Sequence, residues 1–151
     1  MKVGIWGNTE KKLFWQILPE IMEWFDSNDY NVFLTTRIDS QMEQKSKVKY
    51  DIIETADDFE KIDYLLAMGG DGTILSAARA VAHRETSILG IHLGGLGFLA
   101  EVSLDDLYKR MESVSSGDYT LYPRMVIKGE IHTNGMSKTV HALNDLVIER
   151  G

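Results

Sequence analysis

The run Ala67-Met68-Gly69-Gly70-Asp71-Gly72-Thr73 joins an apolar segment, Tyr64-Leu65-Leu66, to a stretch of small and aliphatic residues, Ile74-Leu75-Ser76-Ala77-Ala78-Arg79-Ala80-Val81. The first segment reads as a buried strand and the second as a helix, so the block between them is a strand-to-helix turn. Three glycines at such a turn are expected to let the backbone take positive φ and to approach a ligand closely. Amide N–H groups at a helix N-terminus suit an anion such as phosphate. Asp71 is the odd residue, because a simple anion cradle has no use for a carboxylate. A site that orients or deprotonates a hydroxyl beside a phosphoryl group, or holds Mg²⁺ there, does. The plainer alternative is a tight turn in which Asp71 makes a local Asx-type hydrogen bond.

The surrounding sequence alternates strand and helix. Residues 2–6 read as a first strand, followed by the turn Gly7-Asn8-Thr9. Over residues 10–25 the apolar positions Leu13, Phe14, Ile17, Leu18, Ile21, Met22 and Phe25 form the stripe of an amphipathic helix. Pro19 inside it predicts a kink or a break. Strands are expected at 30–35, 62–68 and 87–91, and helices at 73–83 and 104–114, the last with Ser103 as N-cap. Residues 37–49 are polar without clean periodicity and read as a loop or short surface helix; 51–55 is ambiguous. Such alternation belongs to a parallel sheet covered by helices.

After Gly117 the pattern changes. Residues 119–130 and 138–149 are strand-like and are joined through Thr133-Asn134-Gly135, a hairpin signal because Asn-Gly suits a type I′ turn. The fold class expected is therefore α/β. A Rossmann-like parallel sheet in a nucleotide- and phosphate-binding domain (residues 1–117) is followed by the first strands of a β-rich second domain (118–151).

Composition narrows the function. The chain of 151 residues carries 16 Lys and Arg against 23 Asp and Glu, a net charge of −7. The acids are dispersed, which argues against a nucleic-acid surface, whose affinity rests on phosphate neutralisation by Lys and Arg. There is no cysteine, so no disulfide or thiolate metal site exists. The four histidines (His83, His92, His132 and His141) lack metal-ligand spacing, and no side chain is assigned as a metal ligand. The segment Met1-Lys2-Val3-Gly4-Ile5-Trp6 is too short for a signal-peptide core, and no long apolar run occurs. A cytoplasmic protein without membrane partners is expected.

Two further blocks can carry chemistry. Gly90-Ile91-His92-Leu93-Gly94-Gly95-Leu96-Gly97-Phe98-Leu99 also follows a strand, so a parallel sheet brings it to the same carboxyl edge as the first block, where ligands of open α/β sheets bind. Phe98 offers a flat face to a base or ribose, or else is a core residue. In His141-Ala142-Leu143-Asn144-Asp145-Leu146-Val147-Ile148-Glu149-Arg150, Asp145 can accept from ribose hydroxyls while Asn144 donates and accepts; a strand end carrying polar residues is the alternative. No G-x-x-x-x-G-K-[ST] occurs, which excludes a Walker-type loop.

In this order the three blocks resemble the NAD kinase family, ATP- or polyphosphate-dependent. Residues 69–73 are similar to its GGDGT signature, 90–99 to its second glycine-rich block ending in Gly-Phe-Leu, and 142–150 to its Asn-Glu/Asp block. The GGDGT element alone is shared with diacylglycerol- and sphingosine-type lipid kinases. The resemblance implies phosphoryl transfer from ATP or polyphosphate to the adenosine ribose 2′-hydroxyl of NAD, giving NADP. It implies Asp71 as general base or hydroxyl orienter, with Gly70, Gly72 and Thr73 against the NAD and donor phosphates. Phe98 would wall the pocket, and Asn144 and Asp145 would contact the dinucleotide. Mg²⁺ or another divalent cation is expected with ATP. Family members continue beyond this length, so the chain alone is expected to be inactive and the full-length protein to be a homo-oligomer, a dimer or tetramer. His92 stands where the family commonly has Asn, Gly95 where Arg or Lys is frequent, and Ser76 where many members have a basic residue. The alternatives are a lipid kinase catalytic domain using the same acid and a non-catalytic dinucleotide-binding module.

Overall fold

A computed structural model describes residues 1–95, 97–100 and 102–149; Leu96 of the second glycine-rich block and Arg150 of the third lie outside the described residues. Contacts divide the chain into two units, Met1–Tyr119 and Thr120–Gly151.

The first unit is built on parallel strands β1 (Lys2–Gly7), β2 (Asn31–Thr35), β3 (Tyr50–Ile53), β4 (Tyr64–Gly69), β5 (Ser87–His92) and β6 (Val102–Ser103). Their spatial order is β3-β2-β1-β4-β5-β6. All of β4 is buried, which is why its sequence is a continuous apolar run rather than an alternating one. Side chains still alternate between faces. Val3, Ile5, Tyr64, Leu66 and Met68 point into one core with Phe14, Leu18, Ile21, Met22 and Phe25 of α1 (Lys12–Ser27). Leu107 and Met111 of α4 (Leu107–Ser116) and Ile38 of α2 (Thr36–Gln41) join the same core. Leu65 and Ala67 point the other way, onto Ile74, Ala77 and Val81 of α3 (Asp71–Val81). The α/β, Rossmann-like sheet read from the sequence is thus present.

Several local expectations change. α1 is continuous through Pro19, which lies on its exposed side, where water can satisfy the carbonyl left free by the missing N–H. Within 37–49 the apolar Ile38 is buried and its N–H is accepted by Thr35 Oγ1 at 3.3 Å, so α2 forms despite its polar sequence. The ambiguous 51–55 segment supplies β3, paired with β2. Ser103 does not cap α4 directly. Its hydroxyl accepts from Asp106 N–H at 3.2 Å and donates to Asp106 Oδ2 at 2.7 Å, closing a turn before the helix begins.

The second unit contains an antiparallel hairpin of β7 (Ile127–Thr133) and β8 (Met136–Ala142). Asn134 and Gly135 have φ of 48° and 79°, the left-handed pair a type I′ turn requires. Both strands are shorter than the sequence pattern. Ile127 opposite Ala142 is the last pair of the ladder, so residues on either side lack an opposite strand within this hairpin.

Phe14 is fully buried, with its ring seated where any Cβ on Gly7 would fall, 2.1 Å from Phe14 Cε2. Phe14→Ala is expected to lower the unfolding free energy in urea by about 3–5 kcal/mol. Glu23→Ala, on the exposed side of the same helix, is expected to change it by less than about 0.5 kcal/mol.

Candidate functional site

β1 pairs with β2 on one side and β4 on the other, so the strand order reverses between β1 and β4. The crevice at the carboxyl ends of such strands is where α/β sheets bind ligands. Two backbone hydrogen bonds gather the local chain there. Asn8 N–H donates to Met68 O at 2.9 Å, holding the β1–α1 turn beside β4, and Leu93 N–H donates to Gly69 O at 2.7 Å, holding the chain after β5 on its other side.

The Gly-Gly-Asp-Gly-Thr block starts α3 two residues earlier than the sequence pattern places it. Thr73 N–H donates to Gly70 O at 2.9 Å, and Gly70 N–H donates to Thr73 Oγ1 at 3.4 Å. The positive φ expected in this block is absent: among the described residues the glycines with positive φ are Gly94, Gly117 and Gly135. Gly70 and Gly72 instead leave open space, since a Cβ on either would meet nothing within 4 Å. Room beside the helix N-terminus, rather than an unusual backbone, is what these two glycines supply.

The Asp71 side chain does not close a local turn. Its Oδ2 accepts from Phe98 N–H at 2.9 Å, and its Oδ1 accepts from Leu99 N–H at 3.0 Å and Ala100 N–H at 3.4 Å. The carboxylate of the first block therefore anchors the backbone of the second. Gly97 shows how tight the fit is, because a Cβ there would stand 2.2 Å from Asp71 Oδ1. The amides of Leu99 and Phe98, and less so Ala100, hold the Asp71 carboxyl below the usual aspartate range, against the opposing effect of desolvation. Asp71 is thus firmly ionised and weakly basic. An ionised carboxylate offers about four acceptor positions, so three amides leave capacity for one more donor, such as a hydroxyl.

The other sequence-derived residues divide between the units. Phe98 is 95% exposed, so its ring is not core. Asn144 and Asp145 belong to the second unit, both exposed and just past β8. His92 ends β5, and its Nδ1 lies 2.9 Å from Gly94 O. Ser76 is engaged: Trp6 Nε1–H donates to its Oγ at 2.9 Å, and that hydroxyl donates to Thr73 O at 2.8 Å, tying the end of β1 to the first turn of α3.

Two contacts escaped the sequence. The three amides on Asp71 are backbone groups, which side-chain identity does not encode. Lys11 Nζ donates to Leu93 O at 2.5 Å, across 82 positions of sequence. The only signal for the first was Gly97 itself. Two cavities lie elsewhere: one of about 390 Å³ lined by Glu60, Asp63, His83 and Arg84, and one of about 280 Å³ lined by Trp6, Thr35, Arg37 and Phe59. Neither is lined by Asp71. Among the described residues no group of three or more His, Asp or Glu is placed to hold a metal ion.

Because folding lowers the Asp71 carboxyl, its contribution to stability is complete above the ordinary aspartate range. It is lost as pH falls through the lowered folded value. Carbon NMR of the Asp71 carboxyl is expected to show a titration midpoint below that of unfolded aspartate. Gly97→Ala, which drives a methyl onto Oδ1, is expected to move the midpoint back toward the ordinary range; an unmoved midpoint would mean the amides do not set it.

Comparison with known proteins identifies the family. Residues 3–119 match the ATP-NAD kinase N-terminal domain. The NAD kinase of Moorella thermoacetica is 34% identical over 152 residues, covering 99% of this chain and 47% of its own length. That of Geobacter sulfurreducens is 46% identical over 90 residues, covering 59% of this chain and 32% of its own. A yeast NADH kinase solved in complex with NADH superposes with a TM-score of 0.80 at 19% identity, over 95% of this chain and 47% of that one, a likeness of fold. The chain spans about half the length of the curated relatives that it matches end to end. Among the described residues no helix is long and apolar enough to cross a membrane. On the domain match and the identity along its whole length, this chain belongs to the NAD kinase family.

Proposed function

We propose that the full-length protein transfers the terminal phosphoryl group of ATP, or of polyphosphate, to the adenosine ribose 2′-hydroxyl of NAD, giving NADP. The observation that carries this reading is the ionised Asp71 carboxylate at the N-terminus of α3, fixed by three backbone amides yet with acceptor capacity to spare. A ribose hydroxyl is a poor nucleophile until it is oriented. Asp71 accepts its hydrogen bond and aims an oxygen lone pair at the donor phosphorus. The O2′–P bond forms as the bridging P–O bond of the donor breaks; the hydroxyl proton passes late to the Asp71 carboxylate and from there to solvent, and ADP, or polyphosphate shorter by one unit, leaves. The lowered basicity of Asp71 suits this role, because the transition state is loose and the hydroxyl keeps its proton until late. Orientation, more than proton abstraction, is then its contribution.

Around that step, Gly70, Gly72 and Thr73 at the start of α3 lie against the NAD and donor phosphates, in the open space beside a helix N-terminus that favours an anion. Phe98 presents its exposed ring to the dinucleotide, and Asn144 and Asp145 contact its hydroxyls. Mg²⁺, or another divalent cation, arrives on the phosphates of ATP as part of the substrate and offsets their charge. Asp71 already accepts three backbone amides, so the cation is assigned to the donor phosphates and not to this carboxylate. Residues 1–117 would act as the nucleotide- and phosphate-binding domain and 118–151 as the opening strands of a β-rich one. A cytoplasmic homo-oligomer, dimer or tetramer, with no nucleic-acid or membrane partner, accords with the net charge of −7 and the family.

Full-length protein incubated with NAD, ATP and Mg²⁺ is expected to form NADP, read by an NADP-specific dehydrogenase. Asp71→Asn is expected to lower kcat by about 10²- to 10⁴-fold. NAD binding without NADP formation would favour a non-catalytic module, and transfer to diacylglycerol instead would favour a lipid kinase.

A further inference from the structure

Lys11 occupies the turn between β1 and α1, and its Nζ donates to Leu93 O at 2.5 Å. Leu93 follows β5, and its own N–H is bonded to Gly69 O at the end of β4. Since β4 lies between β1 and β5, the lysine side chain must cross the carboxyl end of β4, where the Gly-Gly-Asp-Gly-Thr block begins. The ammonium is therefore fixed over the crevice from the α1 side of the sheet, while Asp71 and the N-terminus of α3 come from the other.

Among the described residues Lys11 makes no ion pair, and the neighbouring Glu10 pairs with Arg37 at 3.9 Å instead. An ammonium carries three donors, and Leu93 O takes one. Around it, α1 has no side-chain cap and no acid in its first turn. Thr9, in the same turn, keeps a buried hydroxyl without a partner among the described residues. The chain opposite is open: Gly94 takes φ of +136°, with any Cβ there 3.4 Å from Lys11 Nζ, and a Cβ on Gly95 would meet nothing. A reaction that brings a polyanion beside the Asp71 carboxylate needs a fixed positive charge at this place.

We propose that Lys11 is a phosphate-binding residue for the phosphoryl donor, its ammonium strapped across the end of β4 by Leu93 O so that its remaining N–H groups meet donor phosphate oxygens. The proposal rests on the phosphotransferase reading above. The donor chemistry is a linear tri- or polyphosphate, with or without a nucleoside. Leu93 O fixes the ammonium before the donor arrives, so little side-chain freedom is left to lose on binding.

The test uses full-length protein with Lys11→Met and Lys11→Arg. Inorganic tripolyphosphate is titrated by calorimetry, and KM is measured separately for ATP and NAD. Lys11→Met is expected to weaken tripolyphosphate binding and raise the KM for ATP by about 10- to 100-fold, the loss of a charge-assisted hydrogen bond, while the KM for NAD stays unchanged. Lys11→Arg is expected to recover most of both. Unchanged tripolyphosphate affinity in Lys11→Met would overturn the proposal. So would a parallel rise in both KM values with a lowered Tm, the signature of a loop staple alone. If the wild type forms no NADP, the phosphotransferase reading fails by itself. The tripolyphosphate arm still decides Lys11: loss on substitution sustains a phosphate site, and no binding by the wild type removes it.

Discussion

Three backbone amides, those of Phe98, Leu99 and Ala100, converge on the single carboxylate of Asp71. That contact joins the N-terminus of α3 to the chain after β5, and the geometry of the candidate site follows from it. Gly97 must be glycine because Asp71 Oδ1 fills the place of its Cβ. Phe98 projects into solvent because its backbone is held from below by the acid. The acid is firmly ionised because amides, rather than burial, dominate its surroundings. One residue thereby serves two purposes, bracing a loop and presenting a charged acceptor, and a substitution there cannot remove the second without disturbing the first.

The sheet makes the contact possible. Parallel strands deliver every following segment to the same edge, so blocks more than twenty residues apart meet without any long loop. α1 packs on one face and α3 on the other, which lets Lys11 and Asp71 approach the end of β4 from opposite sides with opposite charges. Trp6, donating to Ser76, locks the end of β1 to the first turn of α3 and keeps that spacing fixed.

Much of this was legible in the sequence, for identifiable reasons. The stripe from Phe14 to Phe25 and the apolar run of β4 carry their own periodicity, so α1 and the central strand could be read directly. Once the sheet is parallel, the shared edge of the two glycine-rich blocks follows. Asn134-Gly135 demanded its turn because few other pairs tolerate two positive φ values. What stayed hidden depends on partners remote in sequence or on the backbone. The polar stretch around Ile38 reads as loop or short surface helix, and the choice falls to helix because a tertiary core takes that one side chain. The bracing role of Asp71 stayed hidden because nothing in residues 98–100 announces that their amides are free to donate. Lys11 has no neighbouring motif at all; only folding brings Leu93 O to it. The strands after residue 117 were overestimated because alternation marks what could pair, and pairing ends at Ile127 opposite Ala142.

The measurement that bears most directly on the Asp71 contact is amide hydrogen exchange at Phe98, Leu99 and Ala100 in the wild type and in Asp71→Asn. An asparagine keeps the shape but loses the charge, and it replaces one acceptor oxygen with a donor. Protection at these amides that falls selectively in the variant, while β4 amides stay protected, is the result expected if the carboxylate holds the loop. Equal protection in both proteins would contradict it and leave Asp71 without its bracing role.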